Sequence, residues 1–239
     1  MRPCNRKFDE LRSIEIIPDY NIYAEGSCLI KCGNTHVICT ASVDDKIPQW
    51  LKNEEKGWIT AEYSLLPRST KSRVSRETHG VGGRTHEIQR LIGRSLRSIT
   101  DLKVLNGFSI HIDCDVIQAD GGTRTASITG SYVALYIALE KMVKNKQITH
   151  NPIKEAVGAV SVGICNNEIL LDLEYEEDSK AQVDANFVLT ESKKIVEIQG
   201  TAEENPFTKD EYISLMELAY KGIEQLIEIQ KGAIKNAKI

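Results

Sequence analysis

At 239 residues the chain can bury roughly three quarters of its unfolded surface, in one large domain or two small ones. Its composition is that of an ordinary soluble protein, with no leader-like segment and no apolar run near the roughly 18 residues that span a bilayer, so a cytoplasmic protein without membrane contact is expected. The formal charge of −4 argues against indiscriminate coating of nucleic acid, and six cysteines with no CxxC pair argue against zinc or disulfides.

In chain order, residues 27–32 and 35–43 alternate around Gly33-Asn34, a hairpin signal that runs into the acid pair Asp44-Asp45. From Pro67 to Arg97 the basic residues are Arg68, Lys71, Arg73, Arg76, Arg84, Arg90, Arg94 and Arg97, against only Glu77 and Glu87. A local basic surface therefore sits on an acidic chain. Gly82-Gly83 and Arg84 stand at the start of a helix predicted over 85–99. Its apolar stripe is Ile88, Leu91, Ile92, Leu96 and Ile99, and Arg90, Arg94 and Arg97 lie opposite as a subunit interface or solvated face.

An apolar strand over 108–117 leads through GGTRTASITG, 121–130, to a helix that the apolar pattern opens at Ile128 and carries to about Val143. Ala126, Gly130, Ala134 and Ala138 form a small-residue ridge suited to close packing. A second hairpin, 159–165 and 168–175 around Asn166-Asn167, runs into Glu176-Glu177-Asp178, an echo of the first that hints at duplicated β-rich halves. The last helix opens on a capping box, Thr208 with Glu211, and continues to Gly232, beyond which the polar tail is expected to fray. No linker divides the chain, so a single domain over 1–239 is expected, with its core over about 2–230. The cysteines Cys4, Cys28, Cys32, Cys39, Cys114 and Cys165 read as buried free thiols.

Two segments have the build of a chemical site. Glycine at 121–122 lets the backbone turn and approach a ligand, the helix that follows presents unpaired N–H groups, and Arg124 adds a two-pronged cation, which together suit phosphate. The alternative is a plain strand-to-helix turn. Asp178 and Asp184, six residues apart beyond the second hairpin, could converge on Mg²⁺ or protonate a leaving oxygen, or form part of a solvated acidic loop. Asp184 interrupts the apolar run 183–189 where a strand would bury its side chains. His36 and His111 read as packed or edge residues of strands, His79 and His86 as flanks of the first glycine loop, and Trp50, Trp58 and Tyr63 as core or interface aromatics.

The motifs MRPCNRKFDELR, GWITAEYSLLPRST, GRTHEIQRLIGRSLR, DCDVIQADGGTRTASITG, LDLEYEEDSKAQVD and EIQGTAEENPF resemble, in order and spacing, those of the ribonuclease PH family. The resemblance runs from Arg2 to about Phe207. It implies an α+β fold of duplicated βαβα units with helices packed on mixed sheets, similar to the second domain of ribosomal protein S5. It implies a phosphorolytic 3′→5′ exoribonuclease that trims tRNA precursors, with rRNA a further candidate substrate, uses inorganic phosphate as co-substrate and releases nucleoside diphosphates. By position, Arg84 and Gly122-Thr123-Arg124 match the family's phosphate-binding residues. Asp178 and Asp184 match its catalytic, Mg²⁺-binding acids. Arg68, Arg73 and Arg76 match the segment that grips tRNA in a homohexamer built as a trimer of dimers. The departures are Cys4-Asn5 for Asp-Gly, an altered His79-Gly80-Val81, and Ala185-Asn186-Phe187 for Met-Asn-Val. Two rival classes are a non-catalytic RNA-binding ring subunit and a hydrolytic metal-dependent nuclease.

Overall fold

The computed structural model describes residues 2, 5–78, 80–203 and 205–239, so Cys4 and His79 lie outside the described residues. The first half comprises strands β1 (Ile14–Pro18), β2 (Gly26–Cys32), β3 (Thr35–Asp44) and β4 (Trp58–Leu65), helix α1 (Gly83–Ser98), strand β5 (Ser109–Gln118) and helix α2 (Thr123–Lys144). The second comprises β6 (Val157–Cys165), β7 (Glu168–Leu171), the single turn α3 (Tyr175–Asp178), β8 (Val183–Thr190), β9 (Ile195–Ala202) and α4 (Lys209–Lys235).

The first sheet has the order β1-β2-β3-β5-β4 and is mixed, because α1 carries the chain from β4 to a parallel β5. The second, β7-β6-β8-β9, is antiparallel. Helix α2 is buried along nearly its whole length because it packs against β2 and β3 on one side and β6 and α4 on the other. A helix that is apolar or small all round has no solvent face to present. The small-residue ridge does the fitting: a Cβ on Gly130 would come 2.7 Å from Cys39 Sγ and 2.8 Å from Ile30 Cγ2. One apolar cluster consequently runs through both sheets.

Both hairpins form around the predicted asparagine turns. Their acid pairs do not correspond, however, since Asp44 pairs with Ser109 at the end of β5 remote from the glycine loop. Three boundaries differ from those the apolar pattern suggests. Helix α2 begins at Thr123 rather than near Ile128, because its first turn is written in hydroxyl residues that bond back to it. Thr125 Oγ1 donates to Gly122 O at 2.9 Å and Ser127 Oγ to Thr123 O at 2.8 Å. Strand β7 stops at Leu171, where Asp172 turns left-handed (φ 56°), and a Glu174–Glu177 capping box winds the next residues into α3. The C-terminal residues are docked rather than frayed. Ile234, Ala237 and Ile239 pack on the core, and the Lys238 N–H donates to Asp19 at 2.6 Å. Cys28, Cys32, Cys39, Cys114 and Cys165 are buried free thiols. No helix among the described residues is long and apolar enough to cross a membrane.

Candidate active site

The glycine loop forms where β5 ends. Gly121 (φ +74°) and Gly122 (φ +64°) are both left-handed, and a Cβ on Gly121 would come 2.7 Å from Leu173 O and 2.9 Å from Tyr175 N. Only glycine permits this conformation at such close approach, so the loop lies directly against the backbone that carries α3. Gly122 is the N-cap of α2, and no side chain caps that end. Its N–H groups and the positive end of the helix dipole are therefore open to an anion. The start of α1 differs. There the Glu77 carboxylate accepts from Gly82 N at 3.2 Å and Thr85 Oγ1 at 3.0 Å, which places an acid beside that helix start. Neither of the two helix starts singled out by sequence carries a side-chain cap.

Arg124, in the first turn of α2, reaches the second half of the molecule. Its Nη1 donates to Gln199 Oε1 of β9 at 2.5 Å and pairs with Glu87 of α1 at 3.3 Å. Arg84 is exposed on α1 and makes no hydrogen bond or ion pair among the described residues. Tyr63 at the end of β4 is buried, and its hydroxyl is hydrogen-bonded to that of Thr123 at 2.8 Å. Burial raises the Tyr63 pKa, against the Thr123 bond and the charges of Arg84 and Arg124, which places both arginines within electrostatic reach of this wall.

Asp178 closes α3 and Asp184 lies at the start of β8, so the turn between them brings the two carboxylates within reach of each other's charge. Burial raises the Asp178 pKa, opposed by Arg84 and Arg124. Asp184 is pushed up to about 6, first by burial and then by the Asp178 charge, with Arg124 and Arg84 again opposing. Asp178 and Asp184 thus both lie within reach of the charges of Arg84 and Arg124, from distant parts of the sequence. Asp184 Oδ1 is buried and has no hydrogen-bond partner among the described residues. A carboxylate oxygen left open beside a second carboxylate is the hard-oxygen donor set that Mg²⁺ accepts, usually with one or two protein ligands and the rest from water and phosphate. The acids fit the ion.

The sequence reading missed the residues that hold this cleft together. Arg12 (6% exposed) grips Asp172 (4% exposed) through Nε at 3.0 Å and Nη2 at 2.7 Å, and its Nη1 donates to the carbonyl of Asp120 at 2.6 Å. Arg2 makes a two-pronged contact to Glu177 of α3, both bonds 2.7 Å. Two N-terminal arginines therefore clamp the glycine loop and the acid-bearing turn. Burial alone would raise the Asp172 pKa, but the Arg12 guanidinium overrides it and holds the carboxyl below its ordinary value. Arg12→Ala should cost about 3 kcal/mol by removing the two-pronged partner of a buried carboxylate, which keeps only Arg6 at 3.9 Å and the backbone N–H of residue 12 among the described residues. The urea midpoint at fixed protein concentration checks this, and Arg12→Met with Asp172→Asn, which removes the charge and keeps a residue that tolerates the left-handed backbone, should recover part of the loss. Gln199, Glu87 and Glu203 were also missed, since a polar residue of this kind carries no sequence signal until a fold places it. Arg12 left only one trace, a charged residue just before the first strand.

Arg68, Arg73 and Arg76 are exposed on the segment between β4 and α1. Arg76 lies near Asp115, whose pKa burial raises and Arg76 lowers. On α1, Arg94 pairs with Glu197, while Arg97 is not a solvated residue: it lies 4.4 Å over the Trp58 ring and donates to Ile59 O at 2.7 Å. Its long stem lets it fold back around the helix end onto β4. Trp50 packs edge-on to Trp58 and is 61% exposed. His36 and His111 lie on strands, and His86 is exposed on α1.

Residues 10–139 match domain 1 of the 3′ exoribonuclease family and residues 155–222 match its domain 2. A ribonuclease PH of Rhodospirillum rubrum is 54% identical over 240 residues, covering 100% of both chains. One of Neisseria meningitidis serogroup C is 55% identical over 235 residues, 98% of this chain and 97% of that protein. In fold, the chain is similar to rice (Oryza sativa) Rrp46 with TM-score 0.79 and 19% identity, covering 98% of this chain and 100% of that one. It is also similar to a chain of the Archaeoglobus fulgidus exosome with RNA bound to the active site, with TM-score 0.80, 22% identity and coverage of 95% and 91%. Matched along both halves and through its full length, the chain belongs to the 3′ exoribonuclease family, in its ribonuclease PH branch.

Proposed function

We infer that the family's reaction runs in the cleft between the two halves: the chain is a phosphorolytic 3′→5′ exoribonuclease acting on tRNA, and in reverse a nucleotidyltransferase. The observation that carries the assignment of the site is the convergence of Arg84, Arg124, Asp178 and Asp184 at an uncapped helix start. Phosphorolysis needs inorganic phosphate held in line with the terminal P–O bond, and no covalent nucleophile. Gly122, Thr123 and Arg124 hold the phosphate at the start of α2, and Arg84 faces it from α1. These donors are fixed before the reaction, so they stabilise charge as it builds. Tyr63 orients the Thr123 hydroxyl. Asp178 and Asp184 would hold Mg²⁺, which when bound supplies charge neutralisation at the scissile phosphate. In place of metal binding, one of the two carboxyls, whose pKa burial raises, could carry the proton that the departing ribose 3′-oxygen requires.

Arg68, Arg73 and Arg76 grip the RNA outside the cleft through backbone phosphates, with tRNA precursors as the principal substrate and rRNA as a further one. We read the two family segments as halves of one domain because a single core joins them. The chain is a protomer of a homohexamer, a trimer of dimers. Supporting this are apolar side chains left on the surface, Ile22 at 84% and Tyr23 at 89% exposure. Buried free thiols and the tRNA substrate support a cytoplasmic setting.

The test is incubation of the purified protein with a 3′-extended tRNA and Mg²⁺, with and without inorganic phosphate, and chromatography of the released nucleotides. Nucleoside diphosphates should appear only with phosphate. Monophosphates formed equally without phosphate would make the enzyme hydrolytic, and no release would leave an RNA-binding subunit.

A further inference from the structure

We propose that Gln199 is a positioning residue for phosphorolysis: its carboxamide holds Arg124 against the sheet that carries Asp184 and leaves one edge of the guanidinium for phosphate. The proposal rests on the phosphorolytic reading and adds to it a residue that acts through Arg124. Gln199 is half-buried on β9, at the centre of a chain of polar contacts that joins both halves of the molecule. Arg124 Nη1 of α2 donates to Gln199 Oε1 at 2.5 Å. Gln199 Nε2 donates to Glu87 Oε1 of α1 at 3.0 Å and to Glu197 Oε1 of β9 at 3.2 Å. Glu197 in turn pairs with Arg94 of α1.

The surrounding charges fix which way the amide faces. Its nitrogen meets two carboxylates and its oxygen meets a guanidinium, so all three contacts are favourable. Turned over, the amide would set its oxygen against both carboxylates and its N–H groups against a cation that can only donate. Gln199 therefore has one favoured orientation, and Oε1 stays aimed at Arg124. Both N–H bonds of Arg124 Nη1 are taken up, one by Gln199 and one by Glu87 at 3.3 Å. Nη2 and Nε of Arg124 make no hydrogen bond among the described residues. Those two nitrogens form a single edge of the fork, whose parallel N–H bonds suit two oxygens of one phosphate.

The sheet register gives this contact its consequence. In the β8–β9 ladder Gln199 lies opposite Asn186 and Thr201 lies opposite Asp184, so Gln199 and Asp184 project from the same face of the second sheet. Arg124 is rooted in α2 of the first half. One amide therefore links the phosphate-binding arginine to the sheet that presents Asp184. Phosphate must lie in line with the bond that breaks, and misplacing a group by about 1 Å can cost 10²-fold in rate. Without Gln199, Arg124 keeps only Glu87 among the described residues, and that side chain is 50% exposed. A long side chain held by one exposed ion pair regains its rotamer freedom.

The experiment uses two variants, Gln199→Met, which keeps the length of the side chain and loses the amide, and Gln199→Ala. Inorganic phosphate binding is measured by titration calorimetry without RNA, and phosphorolysis of a 3′-extended tRNA across a phosphate series. Both variants should bind phosphate more weakly and lose about 10- to 100-fold in kcat/KM for phosphate. Their KM for tRNA should stay within about twofold of the unaltered value, a split that general loosening of the fold would not give. In an Arg124→Ala background the same substitutions should change the rate by less than about twofold, because no guanidinium is left to position. Because β9 is the edge strand of its sheet, either variant decides the matter if the other does not fold. Phosphate binding and rate unchanged in the variants, or equal losses with and without Arg124, would overturn the proposal. Failure of the unaltered protein to bind phosphate would remove the phosphorolytic reading and the proposal with it, whereas binding that Arg124→Ala weakens and the Gln199 variants leave intact would overturn the proposal alone.

Discussion

Arg124→Ala should lower kcat/KM for phosphorolysis about 10²- to 10³-fold, the typical cost of removing one preorganised donor from a site where charge builds in the transition state. The loss should fall on both the KM for phosphate and kcat, since the guanidinium meets the ion in the ground state and its charge is used further as the P–O bond breaks. Stability should hardly change. Arg124 bonds to Gln199 and Glu87, and Glu87 is half exposed and can return to water. Arg124→Lys should recover only part of the rate, because an ammonium replaces the two-pronged donor with a point charge. Steady-state rates across a phosphate series, with melting temperatures in parallel, check this. A rate within about twofold of the unaltered enzyme at ordinary phosphate would remove Arg124 from the site.

The glycine loop was legible in the sequence because the chemistry that makes it is local. Gly121-Gly122 must turn left-handed, and only glycine tolerates the backbone of Leu173 to Tyr175 at under 3 Å. Arg124 and the acids were legible as candidates for the same reason, a charged residue beside a turn or inside an apolar run. What the spacing could not show is that β9 and α1 deliver Gln199 and Glu87 to Arg124, since those contacts span 75 and 37 residues. The Arg12–Asp172 clamp, across 160 residues, was invisible for the same reason. The misplaced start of α2 has a different cause. Threonine and serine in a first turn satisfy the helix with their side chains, and a reading based on apolar periodicity takes them for loop. The shortened β7 arises because its alternation continues past Asp172, whose left-handed backbone no periodicity reveals.

Asp184→Asn should abolish phosphorolysis and, in metal-free buffer at neutral pH, make the protein more stable. The sign follows from the direction of the shift. Burial and the Asp178 charge raise the Asp184 carboxyl from 3.8 to about 6 in the folded state, so folding favours its protonated form. The folded chain binds more protons than the unfolded one between those values, and stability falls as pH rises from about 4 to about 6. Above that window the whole penalty is present, of the order of 2 kcal/mol once solvent at the cleft mouth is allowed for. Asparagine carries no charge and escapes it. Below about pH 4 the carboxyl is protonated in both states, and the two proteins should melt together. The measurement is a series of thermal melts of both proteins from pH 4 to 8 in chelator, repeated with added Mg²⁺. The gap should open through pH 5 and 6, and Mg²⁺ should close it by stabilising only the protein that keeps both carboxylates. A constant gap across the pH series would mean that Asp184 titrates as an ordinary surface acid. Equal responses of the two proteins to Mg²⁺ would take the ion away from this pair. A site that is less stable when charged and empty than when neutral is one arranged for what it binds, at a cost to the resting fold.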